Sequence, residues 1–175
     1  MKSKGTTLLE LMVVMVIISI MAAIALPNLS GYISKKALIR QGDEFVAIIS
    51  QVRDRAMAQG ITWRIHFWPG EKRCLGYGDA NNNSSLDSGE QQLGPYHLAE
   101  GISYGSHASA GPNKSSIPSD AVSFVNNRTS FSPMGTCNAG TIYLKSEDRS
   151  IAIRVLPSSG LVRMWEYNDS WQVVK

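Results

Sequence analysis

Residues 6–26, TTLLELMVVMVIISIMAAIAL, are apolar almost throughout, and Glu10 is their one charge. As an α-helix this run rises about 31 Å, roughly one hydrocarbon thickness, so it predicts a membrane-crossing segment. A carboxylate near the centre of such a helix costs about 2.5–3.5 kcal/mol, so Glu10 needs a reason to be there. Beyond Pro27 the pattern changes: Leu29, Ile33, Ala37, Phe45, Ile48, Ile49, Val52 and Ala56 recur at helical spacing, while Lys35, Lys36, Arg40, Asp43 and Glu44 take other positions. Pro27 lacks an N–H and clashes with the preceding turn, which bends a helix without necessarily ending it. The pattern predicts one long helix from about Thr6 to about Ala58, stopped by Gly60.

After Gly60 the period falls to two. In ITWRIHFW, Ile61, Trp63, Ile65 and Phe67 alternate with Thr62, Arg64, His66 and Trp68, the signature of a half-buried strand. RCLGYG, AVSFVN, GTIYLKS, SIAIRVL, LVRMWEY and WQVVK are further strand candidates, separated by Gly, Pro, Asn and Ser clusters. The stretch from Ser106 to Asp120 has little apolar content and reads as an exposed, mobile loop. The expected class is α+β, with one long helix lying against antiparallel sheets.

Composition changes this little. A formal charge of +3 is too mild to announce a nucleic-acid binder, and without Lys2 and Lys4 fifteen basic residues face fourteen acidic ones. Cys74 and Cys137 match no metal-ligand spacing; in an exported protein they form one disulfide closing a long loop, or else they are two unrelated buried thiols.

The N-terminus admits three readings. Lys2 and Lys4, the Met12–Met21 stretch and Ala23-Ile24-Ala25 together satisfy a secretory signal cut after Ala25. A plain membrane anchor is the second, and neither explains Glu10. KGTTLLELMVVMVIISIMAAIALP also resembles the leader of type IV prepilins and type II secretion pseudopilins. That resemblance makes Gly5 the end of a basic leader (residues 1–5), Thr6 the new and N-methylated terminus, Glu10 the family's assembly glutamate and Pro27 its helix-bending proline. The family's usual residue after the cut is Phe, and here it is Thr6. It implies a membrane-embedded or filament-core segment at 6–27, an amphipathic second half of the helix at 28–59 and a globular β domain at 60–175. Cleavage creates an α-amine, and pairing it with a neighbouring subunit's Glu10 offsets much of the penalty of burying either charge alone.

The likeness continues along the chain. QVRDRAMAQGITWRI, YGDANNNSSLDSGEQQL, NNRTSFSPMGTCNAGTIYL and the SSGLVR turn resemble the GspH/FimT branch of minor pilins and pseudopilins. This implies a pilin-like, non-enzymatic subunit, held in the bacterial inner membrane by a single transmembrane pass with its C-terminal domain in the periplasm, and then assembled into a pilus or pseudopilus. Its implied partners are prepilin peptidase, other pilins, an inner-membrane assembly platform and the lipid bilayer. Some relatives bind DNA through a basic turn, and here that turn reads Gly160-Leu161-Val162-Arg163, with Leu161 in place of the first Arg.

Four motifs bear on chemistry. DANNNSSLDSGE fits the spacing of a calcium loop, with Asp79, Asn81, Asn83, Ser85, Asp87 and Glu90 as ligands. Ser84, however, fills the slot that wants Gly, and no helices flank the loop. The alternative is an Asx-turn loop that needs no metal. GISYG around Ser103 matches a nucleophile elbow in letters alone, since loop residues follow it and no acid-then-His order exists. His66, His97 and His107 form no metal pattern. Arg149, Arg154, Arg163, Trp165 and Trp171 could combine charge and stacking for DNA; otherwise they are surface arginines and core tryptophans.

Overall fold

The computed structural model describes residues 7–174, the side chains of residues 24–30 excepted. Gly5 and Thr6, together with Lys2, Lys4 and the side chain of Pro27, lie outside that description.

One helix, α1 (Leu8–Gln59), dominates the first third of the chain. Thr7 caps its start, its side-chain oxygen accepting from the backbone N–H of Glu10 at 3.3 Å. Gly60 ends it in the left-handed conformation (φ 67°), and its N–H reaches the carbonyl of Ala56. The second half of α1 buries Leu38, Phe45, Ile48, Ile49, Val52 and Ala56, so one stripe at helical spacing faces the β domain. Ile33, expected on that stripe, is exposed; the buried face begins at Leu38.

The strands are β1 (Thr62–Trp68), β2 (Arg73–Asp79), β3 (Gln92–His97), β4 (Ser103–Tyr104), β5 (Arg128–Phe131), β6 (Gly140–Lys145), β7 (Ser150–Val155), β8 (Val162–Asn168) and β9 (Ser170–Val173). They form two antiparallel sheets, ordered β3-β2-β1-β5 and β4-β6-β7-β8-β9. Alternation in β1 sends Trp63, Ile65 and Phe67 into a core shared with α1, where Ile142, Leu144, Ile151, Ile153 and Met164 of the second sheet join them. Glycine allows both sheets a close approach to the helix. A Cβ on Gly76 of β2 would lie 2.9 Å from Val52 Cγ2, and one on Gly42 of α1 would lie 2.6 Å from Met164 Sδ.

Three expectations are corrected. Among the described residues no helix is long and apolar enough to cross a membrane. The single-pass inner-membrane location and the lipid-embedded first half of the helix are therefore not supported. Second, AVSFVN is not a strand: Val122 makes an isolated bridge to Ile142, and the chain then turns at Asn126 and Asn127, both at positive φ. Third, residues 106–120 are strapped to the second sheet. Gly111 and Pro112 are buried, Ile117 packs against the cluster of Ala121, Tyr143, Ala152 and Trp165, and Trp171 Nε1 donates to the Ala110 carbonyl at 2.8 Å.

Candidate functional site

The first candidate is the free end of α1. Leu8, Leu9, Leu11 to Ile18, Ile20 and Met21 are each 49–79% exposed. Glu10 and Ser19 are the only polar residues between 8 and 23, and Ser19 Oγ turns back to the Met15 carbonyl at 2.8 Å. This end has no polar face, and a helix apolar on all sides is stable only when surrounded. Glu10 lies in its first turn, where the unpaired N–H groups of the helix favour a negative charge. Among the described residues its carboxylate has no partner.

The second candidate is the loop joining β2 to β3. Asp79 is 1% exposed, and its carboxylate is fully engaged. Arg64 Nε donates to Oδ2 at 2.5 Å, Ser84 N to the same oxygen at 3.0 Å, and Asn83 N to Oδ1 at 3.0 Å. The Asn81 and Asn83 amide nitrogens both donate to Asp87 Oδ2, at 2.7 and 2.6 Å. Their oxygens accept from Asn83 N and Ser85 N, while Glu90 accepts from Ala80 N and Asp87 N.

These residues do not fit calcium. A guanidinium occupies the deepest carboxylate, two amide NH2 groups point at Asp87 where a cation would want bare oxygen, and backbone N–H groups take the rest. Among the described residues no group of three His, Cys, Asp or Glu is gathered for any metal. The loop is an Asx-turn structure instead, with Ser84 itself adopting the left-handed φ of 65°. Two residues that sequence reasoning passed over hold it down: Arg64 through Asp79, and Arg128, whose Nη1 donates to the Ser84 carbonyl. Tyr77 adds a third tie, its hydroxyl donating to that carbonyl at 3.2 Å. The cue in the sequence was an arginine at an outward position of β1.

The cysteines are not paired. Cys74 lies opposite Phe67, whereas Cys137 bridges to Phe131, which lies opposite Trp63. Four residues of strand, about 13 Å, therefore separate the two positions, well beyond the ~7 Å Cα limit for a disulfide. Burial pushes the Cys74 thiol up to about 12. The Cys137 thiol is also raised by burial, partly countered by its hydrogen bonding at Gly160 and by Arg53.

Arg154 and Arg163 lie directly opposite each other on β7 and β8. Arg154 is half-buried with its Nε on Thr141 Oγ1 at 3.2 Å, and exposed Arg163 lies 5.9 Å from the Trp165 ring centre. Trp165 is 7% exposed and belongs to a core cluster with Tyr143, and Arg149 is ion-paired to Glu166 at 2.8 Å. This places Trp165 in the core and only Arg163 fully in solvent, too little for a continuous basic and stacking surface.

The prokaryotic N-terminal methylation motif matches residues 1–26, and the type II transport protein GspH family matches residues 41–160, more than two thirds of the chain. The type IV major alpha-pilin of Moraxella bovis is 49% identical over 59 residues, which is 34% of this chain and 36% of that protein. Fimbrial protein Q of the same organism is 49% identical over 59 residues, covering 34% and 37%. The chain thus spans about a third of the length of the curated relatives it matches. The minor pseudopilin EpsH from the type 2 secretion system of Vibrio cholerae is similar over 73% of this chain and 94% of that one, at 12% identity and a TM-score of 0.47. On the match over residues 41–160, this chain belongs to the type II transport protein GspH family of pilin-like proteins.

Proposed function

We propose that the chain is a minor pilin or pseudopilin subunit, cut after Gly5 by prepilin peptidase and polymerised into a type IV pilus or type II secretion pseudopilus. The observation that carries this reading is the contrast within α1: its second half is seated in the β domain, while residues 8–21 offer apolar side chains to no partner in the monomer. Helices of neighbouring subunits supply that partner, and the assembly platform delivers the subunits. Once Thr6 is the terminus, its amine, N-methylated or not, lies four residues before Glu10 in the sequence. In the packed core the Glu10 carboxylate of one subunit neutralises the amine of the next. The role is structural rather than catalytic.

The test is incorporation into filaments. Breaking a buried ion pair from one side costs about 3–5 kcal/mol, so Glu10→Ala should lower incorporation by about a hundredfold or more. Mass spectrometry of assembled subunits should find a chain beginning at Thr6. Wild-type incorporation of Glu10→Ala would remove the charge-pairing mechanism, and a mature chain beginning at Leu26 would remove the filament reading altogether.

A further inference from the structure

On the sheet face turned away from α1, the β8–β9 hairpin and the segment carrying residues 108–114 line an open cleft of about 330 Å3. Met164 of β8 points into the core shared with the helix, so its neighbours Trp165 and Tyr167 take the opposite and alternate positions that define the outer face. Tyr167 and Trp171 are directly paired across the hairpin, their ring centres 5.1 Å apart and inclined at 52°. Trp171 spends its only donor on the Ala110 carbonyl, and Tyr143 backs it at 6.2 Å. The indole is thereby fixed in place, with its ring available for contact.

Besides these rings, the cleft is lined by Asn113, Lys114, Asp169 and Ser170. Among the described residues none of these side-chain polar groups has a protein partner. Asn113, Lys114 and Asp169 are all at positive φ (60°, 59° and 63°), a conformation that a lysine adopts rarely. Lys114 and Asp169 cancel in charge, which gives no net attraction for phosphate, and the ring of donors and acceptors is wasted on an apolar ligand. The volume lies at the small end of ligand pockets, which are commonly aromatic-lined with a few oriented polar groups.

We propose that this cleft binds a neutral saccharide unit, the apolar C–H face of the sugar lying on Trp171 and Tyr167 and its hydroxyls exchanging hydrogen bonds with Asn113, Asp169 and Ser170. The site stands apart from the filament reading, since it uses no residue of α1.

The experiment is an NMR titration of the full chain that follows the indole N–H of Trp171, identified from Trp171→Phe. The probes are maltose, N,N′-diacetylchitobiose, inorganic phosphate and a single-stranded oligonucleotide. The expected result is a saturable shift with one of the sugars at millimolar concentration and none with phosphate or oligonucleotide. Asp169→Gly keeps the left-handed turn while removing the carboxylate, and Ser170→Ala removes only a hydroxyl; each should weaken the response by about tenfold with the other indole signals in place. Silence with both sugars, a sugar response unaltered in both variants, or a response to the oligonucleotide in place of the sugars would overturn the proposal.

Discussion

Replacing Asp79 by alanine is the sharpest probe of the loop between β2 and β3. Its side chain is wholly buried and faces Arg64, itself only 15% exposed, at 2.5 Å. Removing one member of such a pair leaves the other as a nearly desolvated charge, which costs about 3–5 kcal/mol. The Ser84 N–H also loses its acceptor while that of Asn83 keeps the Asn81 amide oxygen, and the loop is open enough for water to replace the rest, so they add little. The net expectation is a loss of about 3–4 kcal/mol. At about 2–4 °C per kcal/mol for a chain of this size, the melting temperature falls by about 10 °C. Urea unfolding followed by tryptophan fluorescence measures it.

A cycle with Arg64→Met separates the ion pair from the loop. Arg64→Met alone strands Asp79 and is costly, whereas the double variant exchanges the pair for apolar bulk and should cost well under the sum, with coupling of about 1.5 kcal/mol or more. Asp87→Ala, at a more open position, should cost only about 1 kcal/mol. EDTA should leave the wild-type transition unmoved. A loss below about 1 kcal/mol for Asp79→Ala would show that the carboxylate does not hold the loop. An EDTA-induced fall of the same size as the Asp79→Ala effect would put a metal where Arg64 is placed.

Two further outcomes follow from the thiols and from one histidine. In the native chain Cys137 should be alkylated before Cys74, whose thiol is pushed up to about 12 by burial, and reductant should leave the melting temperature unchanged. A native mass two hydrogens lighter, with a melting temperature lowered by reductant, would establish a disulfide. His66 is held below its ordinary value of 6.5 by burial and then by Arg128 and Arg73. Below pH 6.5 the unfolded chain therefore binds the proton more readily than the folded one. The stability that His66 contributes is present above that pH and is lost as the pH falls through the folded value. His66→Gln should flatten this acid-side slope in pH-dependent urea unfolding, and an unaltered slope would exclude His66 as its source.

What the sequence made legible follows from which forces are local. Alternation identified β1 because Trp63, Ile65 and Phe67 all meet one core, whereas β2, β6, β7, β8 and β9 were legible as short apolar runs bounded by turn residues. β3 was passed over because Gly94-Pro95 reads as a turn, but β3 is an edge strand, where a missing N–H costs no ladder bond. β4 and β5, of two and four residues, are too short for periodicity to register. The 106–120 segment looked mobile because its anchors, Trp171 and Tyr143, lie far along the chain, and low apolar content could not reveal them. The calcium spacing is ambiguous for a related reason: alternate oxygen donors suit Asx turns as well as a cation, and one of the partners that takes them here, Arg64, lies fifteen residues earlier.

Glu10 combines both kinds of information. As a charge in a greasy run it pointed to a partner outside the chain, yet Thr7-Leu8-Leu9-Glu10 is also the spacing of a helix start, and half of that capping arrangement is present in the Thr7–Glu10 bond. A carboxylate in the first turn gains about 0.3–1 kcal/mol from the helix dipole, so its position is less costly than the mid-helix figure suggests. That local gain is too small to offset burial of a bare charge among neighbouring helices, where a penalty of several kcal/mol applies. Position and pairing therefore act together. Glu10 would be the fifth residue of the chain that cleavage creates, and the packed surroundings make a counter-charge obligatory. Glu10→Gln separates the two contributions: it retains the Thr7 cap, which uses only the backbone N–H of residue 10, and removes the charge. If the cap alone explained the residue, Glu10→Gln subunits would assemble as the wild type does; if the charge is what the polymer reads, they fail along with Glu10→Ala.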